Sequence, residues 1–204
     1  MKGKTKIQLS SLEMKLATNA GWILTKNEII QKARWQLESL QAKQEKYLKK
    51  YSRLFPDDVL KVSPKISKGE NYKELPYLIM DYPRYFNKEN IFAIRTMFWW
   101  GNFFSITLHL SGKYKKQFQQ KIIASYLLLK KEECFICVSN TEWENHFEKN
   151  NFIQLKEISI AIFQNYIERK YFIKLAYKIP IRKWDNVQEF LMNKFKKMTE
   201  MLVG

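Results

Sequence analysis

The hydrophobic and polar positions of the chain change period twice. From Leu12 to Leu54 apolar residues recur at helical spacing: Leu12, Leu16, Ala20 and Ile23 form a short stripe, and Ile29, Ala33, Leu37, Leu40, Leu48, Tyr51 and Leu54 form a longer one. Thr25 and Glu28 have capping-box spacing, which predicts a second helix starting there, about 40 Å long and stopped at Pro56. From Asp57 the pattern alters. Ser63–Pro76 is polar and reads as a loop, whereas Leu75–Tyr82 and Ile91–Leu110 have the alternation and the aromatic and β-branched content of strands.

Trp99-Trp100-Gly101-Asn102-Phe103 predicts a hairpin with a two-residue Gly101-Asn102 turn. That register sets Trp100 opposite Phe103, Thr96 opposite Thr107 and Ile94 opposite His109. One face then collects Ala93, Arg95, Met97, Trp99, Phe104, Ile106, Leu108 and Leu110 as core. The other collects Ile94, Thr96, Phe98, Trp100, Phe103, Ser105, Thr107 and His109.

After Gly112 the period is helical again through Tyr114, Phe118, Ile122 and Leu129. Glu133–Ser139 reads as a short buried strand, and Thr141 with Glu144 as a capping box for a short helix ending near Lys149. Phe152–Lys156 predicts a strand and Ile158–Arg169 a helix. Tyr171–Ile181 alternates as a half-exposed strand, with Ile173, Leu175, Tyr177 and Ile179 on one side and Lys174 and Lys178 on the other. Asp185 with Gln188 caps a final helix that buries Val187, Phe190, Leu191, Phe195, Met198 and Leu202. The expected fold is α+β, a mostly antiparallel sheet with a central hairpin packed by N-terminal and C-terminal helices. It forms one domain over residues 1–204, with a basic helical segment at 1–55 and an α+β core at 57–204.

Composition supports a packed core: 46% of the 204 residues are hydrophobic and 15% aromatic, while Gly and Pro together number eleven. Met1–Lys6 has the charge of a signal-peptide n-region, but Glu13, Lys15 and Asn19 interrupt the stretch from there to Thr25, which leaves no continuous apolar h-region. Apolar runs such as Ile122–Leu129 fall well short of the ~18 residues of a spanning helix. With Cys134 and Cys137 the only cysteines, a soluble cytoplasmic protein with reduced thiols and no membrane span is expected.

Charge adds a location. The net charge is +16, and residues 1–55 hold twelve basic against four acidic groups, half of the excess. Such a field points to an anionic partner, nucleic acid or an acidic protein, although a lysine-rich surface also serves solubility alone. The long helix's stripe offers a route to oligomers.

Candidate chemistry sits elsewhere, in the near-neutral middle. Thr96, Ser105, Thr107 and His109 on one hairpin face suit either the floor of a polar pocket or a solvated sheet surface. Arg95, in the apolar set, needs a carboxylate or a ligand, and Asp81 is the nearest carboxylate on the preceding strand. Lys65 and Lys68 in the polar loop, with Arg84 after Pro83, complete a cationic cluster for a small anionic ligand, in a binding protein or an enzyme. The loop lacks P-loop spacing. His109 and His146 are not at metal-ligand spacing, and Cys134-Phe-Ile-Cys137 has no second pair and reads as strand with its sulfurs on opposite sides. No metal and no cofactor is expected, and no hydrolase, metalloprotease or kinase signature is present.

Lys65-Ile-Ser-Lys-Gly-Glu-Asn-Tyr72, Leu75-Pro-Tyr77, Asp81-Tyr-Pro-Arg84, Ile91-Phe-Ala-Ile-Arg-Thr-Met-Phe-Trp-Trp-Gly101 and Leu108-His-Leu-Ser-Gly112 together resemble a family of small uncharacterised bacterial cytosolic proteins. The resemblance covers roughly a quarter of the chain. It implies a cytosolic domain and supplies neither catalytic residues nor a cofactor.

Overall fold

The structure, a computed structural model, describes residues 7–204; the basic Met1–Lys6 stretch lies outside them. Helix α1 (Ser11–Ala17) opens on a true capping box, in which the Ser10 hydroxyl accepts from the Glu13 N–H and the Glu13 carboxylate from the Ser10 N–H. Helix α2 (Ala20–Lys49) is continuous for 30 residues, so Thr25 and Glu28 lie inside a helix rather than at its start. Capping needs free N–H groups, and within α2 these are already bonded to the preceding turn. Ile30, Ala33, Leu37, Leu40 and Leu48 form its buried stripe, and Gln44, also buried, fills the position that the apolar pattern skips.

A short helix α3 (Asp57–Leu60) leads into strand β1 (Lys65–Tyr72), which pairs antiparallel with β2 (Leu75–Phe86). The predicted loop over Ser63–Pro76 is therefore mostly strand, closed by Lys73 and Glu74, both with positive φ (48° and 65°). Its polar character fits an edge strand, where backbone pairing to one neighbour suffices and charges discourage further pairing. Strands β3 (Ile91–Trp99) and β4 (Phe103–Ser111) form the central hairpin. Helices α4 (Gly112–Ala124) and α5 (Tyr126–Lys131), strands β5 (Phe135–Cys137) and β6 (Phe152–Gln154), helix α6 (Ile160–Arg169), strand β7 (Phe172–Pro180) and helix α7 (Val187–Val203) complete the chain. The seven strands form one sheet in the order β1-β2-β3-β4-β7-β5-β6, and every pairing is antiparallel.

Helices cover one face of this sheet. Phe92, Ile94, Phe98, Phe104, Ile106, Leu108 and Leu110 of the hairpin and Ile173, Leu175, Tyr177 and Ile179 of β7 share a core with the α2 stripe, with Phe118 and Ile122 of α4, and with Leu191, Phe195 and Met198 of α7. Each such side chain contributes about 1.5–3 kcal/mol of burial. At the start of α7, Asn186 makes no side-chain cap; Gln188 instead bonds the Gln36 carbonyl and Lys43 of α2, tying the two terminal helices together. Cys134 lies in the helix-side core and Cys137 on the opposite face, as strand alternation requires.

The opposite face is roofed by residues 138–151, which contain no helix; the predicted short helix after Thr141 is absent. Lys174, expected at a half-exposed strand surface, is 2% exposed, because β7 lies inside the sheet and this segment covers its second face.

The hairpin register differs from the predicted one by a single residue. Trp99, not Trp100, faces Phe103, so Arg95 faces Thr107 and Ala93 faces His109. Trp100 is still held to β2 through its N–H to the Pro76 carbonyl (3.0 Å), and the turn forms over Trp99–Asn102 with Gly101 at φ 72°. With a side-chain period of two, this shift exchanges the faces of all β3 residues. Thr96 and Phe98 join the helix-side core, and Arg95 crosses to the face of Ser105, Thr107 and His109. The Thr96 hydroxyl is buried there with no hydrogen-bond partner among the described residues. Thr96→Val should therefore raise stability by about 1 kcal/mol in urea unfolding, whereas a loss of stability would contradict this register.

Candidate functional site

Strand alternation and register lay charged and polar groups in rows across the face away from the helices. Lys65, Asp81, Arg95 and Thr107 occupy one row on β1 to β4, and Arg84, Ala93, His109 and Lys174 the next, after a bulge in β2. Ser105, Met97 and Lys178 form a third. Of the predicted site residues, the fold thus brings Lys65, Arg84, Arg95, Ser105, Thr107 and His109 to one face. Lys68 and Thr96 are not among them. Lys68 is in register with Leu78 of the helix-side core and pairs with Glu70 (2.7 Å), which also binds Lys26 of α2 (3.1 Å).

Arg95 and Asp81 sit on neighbouring strands in register, and the guanidinium meets the carboxylate at two points, 2.8 and 3.0 Å. This two-point geometry is the strongest form of such a pair. Arg84 donates from Nε to the Ser63 carbonyl (2.7 Å) at the margin.

The strap at 138–151 completes the cluster from above. Glu142 reaches His109 Nε2 at 2.9 Å, and the Trp143 ring, half exposed, lies edge-on to the imidazole at 6.0 Å. Lys174 Nζ donates to the carbonyls of Glu142 (2.8 Å) and Glu144 (2.6 Å), and Lys170 Nζ to those of Val138 (2.9 Å) and Ser139 (2.5 Å). The Tyr72 hydroxyl donates to the Glu144 carboxylate (2.8 Å) and accepts from the Asn145 and His146 N–H groups. Phe147 anchors the far end among Phe103, Phe135 and Phe152, with centroids 4.8–5.0 Å away. A segment without helix or strand bonds of its own must satisfy its backbone elsewhere, and here two lysines and a tyrosine do so.

Burial sets the electrostatics. Lys174 is pushed down to about 8 by desolvation, which outweighs the neighbouring carboxylates. The His109 pKa is lowered by burial, against the opposing pull of Glu142, so the ring is neutral near pH 7 with Nε2–H toward the carboxylate. His146 is likewise lowered by burial and by Lys73, and its Nδ1 accepts the Glu148 N–H (3.3 Å), a bond only the unprotonated nitrogen can make. Burial raises Tyr72 to about 12, keeping its hydroxyl a donor.

No family model, curated protein or solved structure matches this chain. Function rests on the geometry alone.

Asp81 pairs with Arg95, the Glu142 carboxylate accepts from neutral His109, and backbone carbonyls hold Lys174, so the polar groups at the centre of the face are satisfied within the protein. Clefts of about 150 to 520 Å³ lie at other places: beside β7 and α7, and around Trp22 and Trp100 near the start of α2. A small anion would reach His109 and Lys174 only with the strap lifted. Among the described residues no group of three or more His, Cys, Asp or Glu is placed to hold a metal ion. Glu142, Lys174 and Tyr72 are the partners missing from the sequence reading. Lys174 carried a signal, as one of two lysines in a strand of otherwise apolar residues; Glu142 and Tyr72 carried none, since only folding brings them to His109 and the strap.

Acid should loosen the strap. Its open form takes up protons near pH 6.5, the closed form only at lower pH, so the closed form is fully favoured above about 6.5 and loses ground as pH falls below it. The groups facing His109 are Glu142, Lys174 and Arg95; those facing His146 are Lys73, Glu144, Glu148 and Lys174. Amide exchange over 138–151 should accelerate between pH 6.5 and 5 by up to about tenfold per pH unit per histidine beyond the intrinsic exchange trend. His109→Gln with His146→Gln should flatten that dependence.

Proposed function

We propose that the protein is a binding module for an anionic macromolecule, engaged through the outer face of α2, with single-stranded nucleic acid as the partner whose chemistry this surface fits best. The observation that carries this reading is an uncompensated cationic stripe. Lys32 and Lys46 of α2 and Lys50 at its C-cap fall on the side away from the buried stripe, over about 27 Å, while Lys43 turns to Gln188 of α7. None of these three outer lysines has an ion pair among the described residues, and Glu38 and Glu45, the acidic residues between them, project toward a flank. Trp35, 58% exposed, stands on the same outer side and offers a stacking surface. An acidic protein surface is the other partner that the stripe's charge accommodates. Both free thiols are buried, and burial raises the Cys134 thiol to about 12, which fits unreactive cysteines in a reducing cytoplasm. No helix among the described residues is long and apolar enough to cross a membrane.

Assembly through the N-terminal helix belongs to the same proposal. Helix α1 buries none of its residues, and Leu12, Leu16, Ile23 and Leu24 remain exposed. If these side chains join two copies, Leu12→Glu with Leu16→Glu should convert a dimer to a monomer in light scattering; a monomeric wild-type chain would remove this part.

Binding to a labelled single-stranded oligonucleotide should weaken steeply with salt. Replacing Lys32, Lys46 and Lys50 with Gln should reduce the log–log salt slope by about 2–3, with unchanged thermal unfolding. Absence of binding at about 50 mM salt, together with retention on poly-glutamate, would transfer the proposal to an acidic protein. Binding to neither would end it.

A further inference from the structure

Strand β7 is paired with β4 along its whole length, from Phe172 to Pro180. On its other side β5 meets it only at Leu175 and Ala176. The chain leaves that edge just before β5: Glu133 has a positive φ of 59°, and the N–H and C=O of Cys134 are taken by Leu129 (3.0 Å) and Leu155 (2.9 Å). Tyr177, Lys178 and Ile179 therefore continue past the end of β5 as an unpaired strand edge inside the sheet. Alternate residues of a strand turn their N–H and C=O to opposite sides, so part of this edge presents backbone donors and acceptors with no strand beside them.

The space beside the edge is open. A cleft of about 150 Å³ lies between Phe135, Tyr177 and Phe190, and a shallower one of about 520 Å³ continues past Ile179 and Lys183, sharing Phe190 and Lys194 with the first. The deeper cleft is smaller than the usual 300–1,000 Å³ of a small-molecule pocket and suits a single side chain. Lys194 is neutralised by Glu132 (2.7 Å), which also holds Lys197. Lys178 and Lys183 have no carboxylate within ion-pair distance among the described residues; Lys178 Nζ rests over Phe147 (4.9 Å) and Phe135 (5.3 Å). Glu133 and Glu189 also line the groove, so its local balance, counting Lys197, is four lysines to three glutamates within a chain of +16.

We propose that the free edge of β7 at Tyr177–Ile179 is a docking site for an extended acidic peptide segment of a partner protein. The segment adds as a short strand in line with β5, places one apolar side chain between Phe135, Tyr177 and Phe190, and brings carboxylates to Lys178 and Lys183. Main-chain pairing provides affinity and the alternate side chains provide selectivity, the general logic of strand addition. The site is separate from the α2 stripe.

The test uses the full chain and a library of blocked hexapeptides in which aromatic or aliphatic residues alternate with Glu, matched by a library with Lys in place of Glu. Members of the Glu library should bind, and amide exchange should slow within Tyr177–Ile179. N-methylation of a central peptide amide should weaken binding about tenfold, the loss of one main-chain hydrogen bond. Lys178→Glu and Lys183→Glu should each weaken binding several-fold with unchanged thermal unfolding, and Gln at Lys32, Lys46 and Lys50 should leave it unaltered. Failure of both libraries to bind, indifference to N-methylation, or preference for the Lys library would overturn the proposal.

Discussion

The pairing of Trp99 with Phe103 determines the chemistry of both faces of this sheet. A strand has two sides only, so one register assigns every residue of β3 to the helix-side core or to the opposite face with no intermediate option. The observed assignment gives the helices Phe92, Ile94 and Phe98, which pack with α2, α4 and α7 in a single core. It also sends Arg95 to the side where Asp81 waits in register on β2. The opposite register would bury a guanidinium among leucines and phenylalanines, a cost of several kcal/mol per uncompensated ion. Thr96, left in the core without a partner, is the minor cost of the arrangement that was selected.

The strap is a consequence of that assignment. A sheet face holding Arg95, Thr107, His109 and Lys174 cannot be closed by an apolar layer, because buried polar groups require partners. Residues 138–151 meet the requirement with their own backbone: lacking helix or strand bonds, they accept from Lys170 and Lys174 and donate to Tyr72. Each side satisfies the other. The apolar end of the same segment is fixed by Phe147, whose ring lies among three other phenylalanines.

Charge is accordingly divided between inside and outside. Within the sheet cluster Asp81 answers Arg95, backbone carbonyls hold Lys174, and burial lowers the pKa of His109 and Lys174. On the outer side of α2 the lysines face water without counter-charges, and beside β7 two more flank an unfinished strand. The unusual residues in the middle of the chain thus organise the fold, while lysines without carboxylate partners among the described residues lie on the helix and at the strand edge.

The sequence by itself determined the elements whose side-chain period is long and regular: the α2 stripe, the helices after Gly112 and at the C-terminus, the alternation of β7, and the concentration of charge near the N-terminus. These depend on local spacing, which folding preserves. Tertiary structure alone decided the hairpin register, since the tie from Trp100 to Pro76 comes from another strand. It also made Lys65–Tyr72 a strand, through pairing with β2 that owes little to side-chain type. Glu142 at His109, the burial of Lys174 and the free edge beside Tyr177 belong to the same group. Each joins residues far apart in the chain, or depends on where a neighbouring strand stops, and no local period encodes such a meeting.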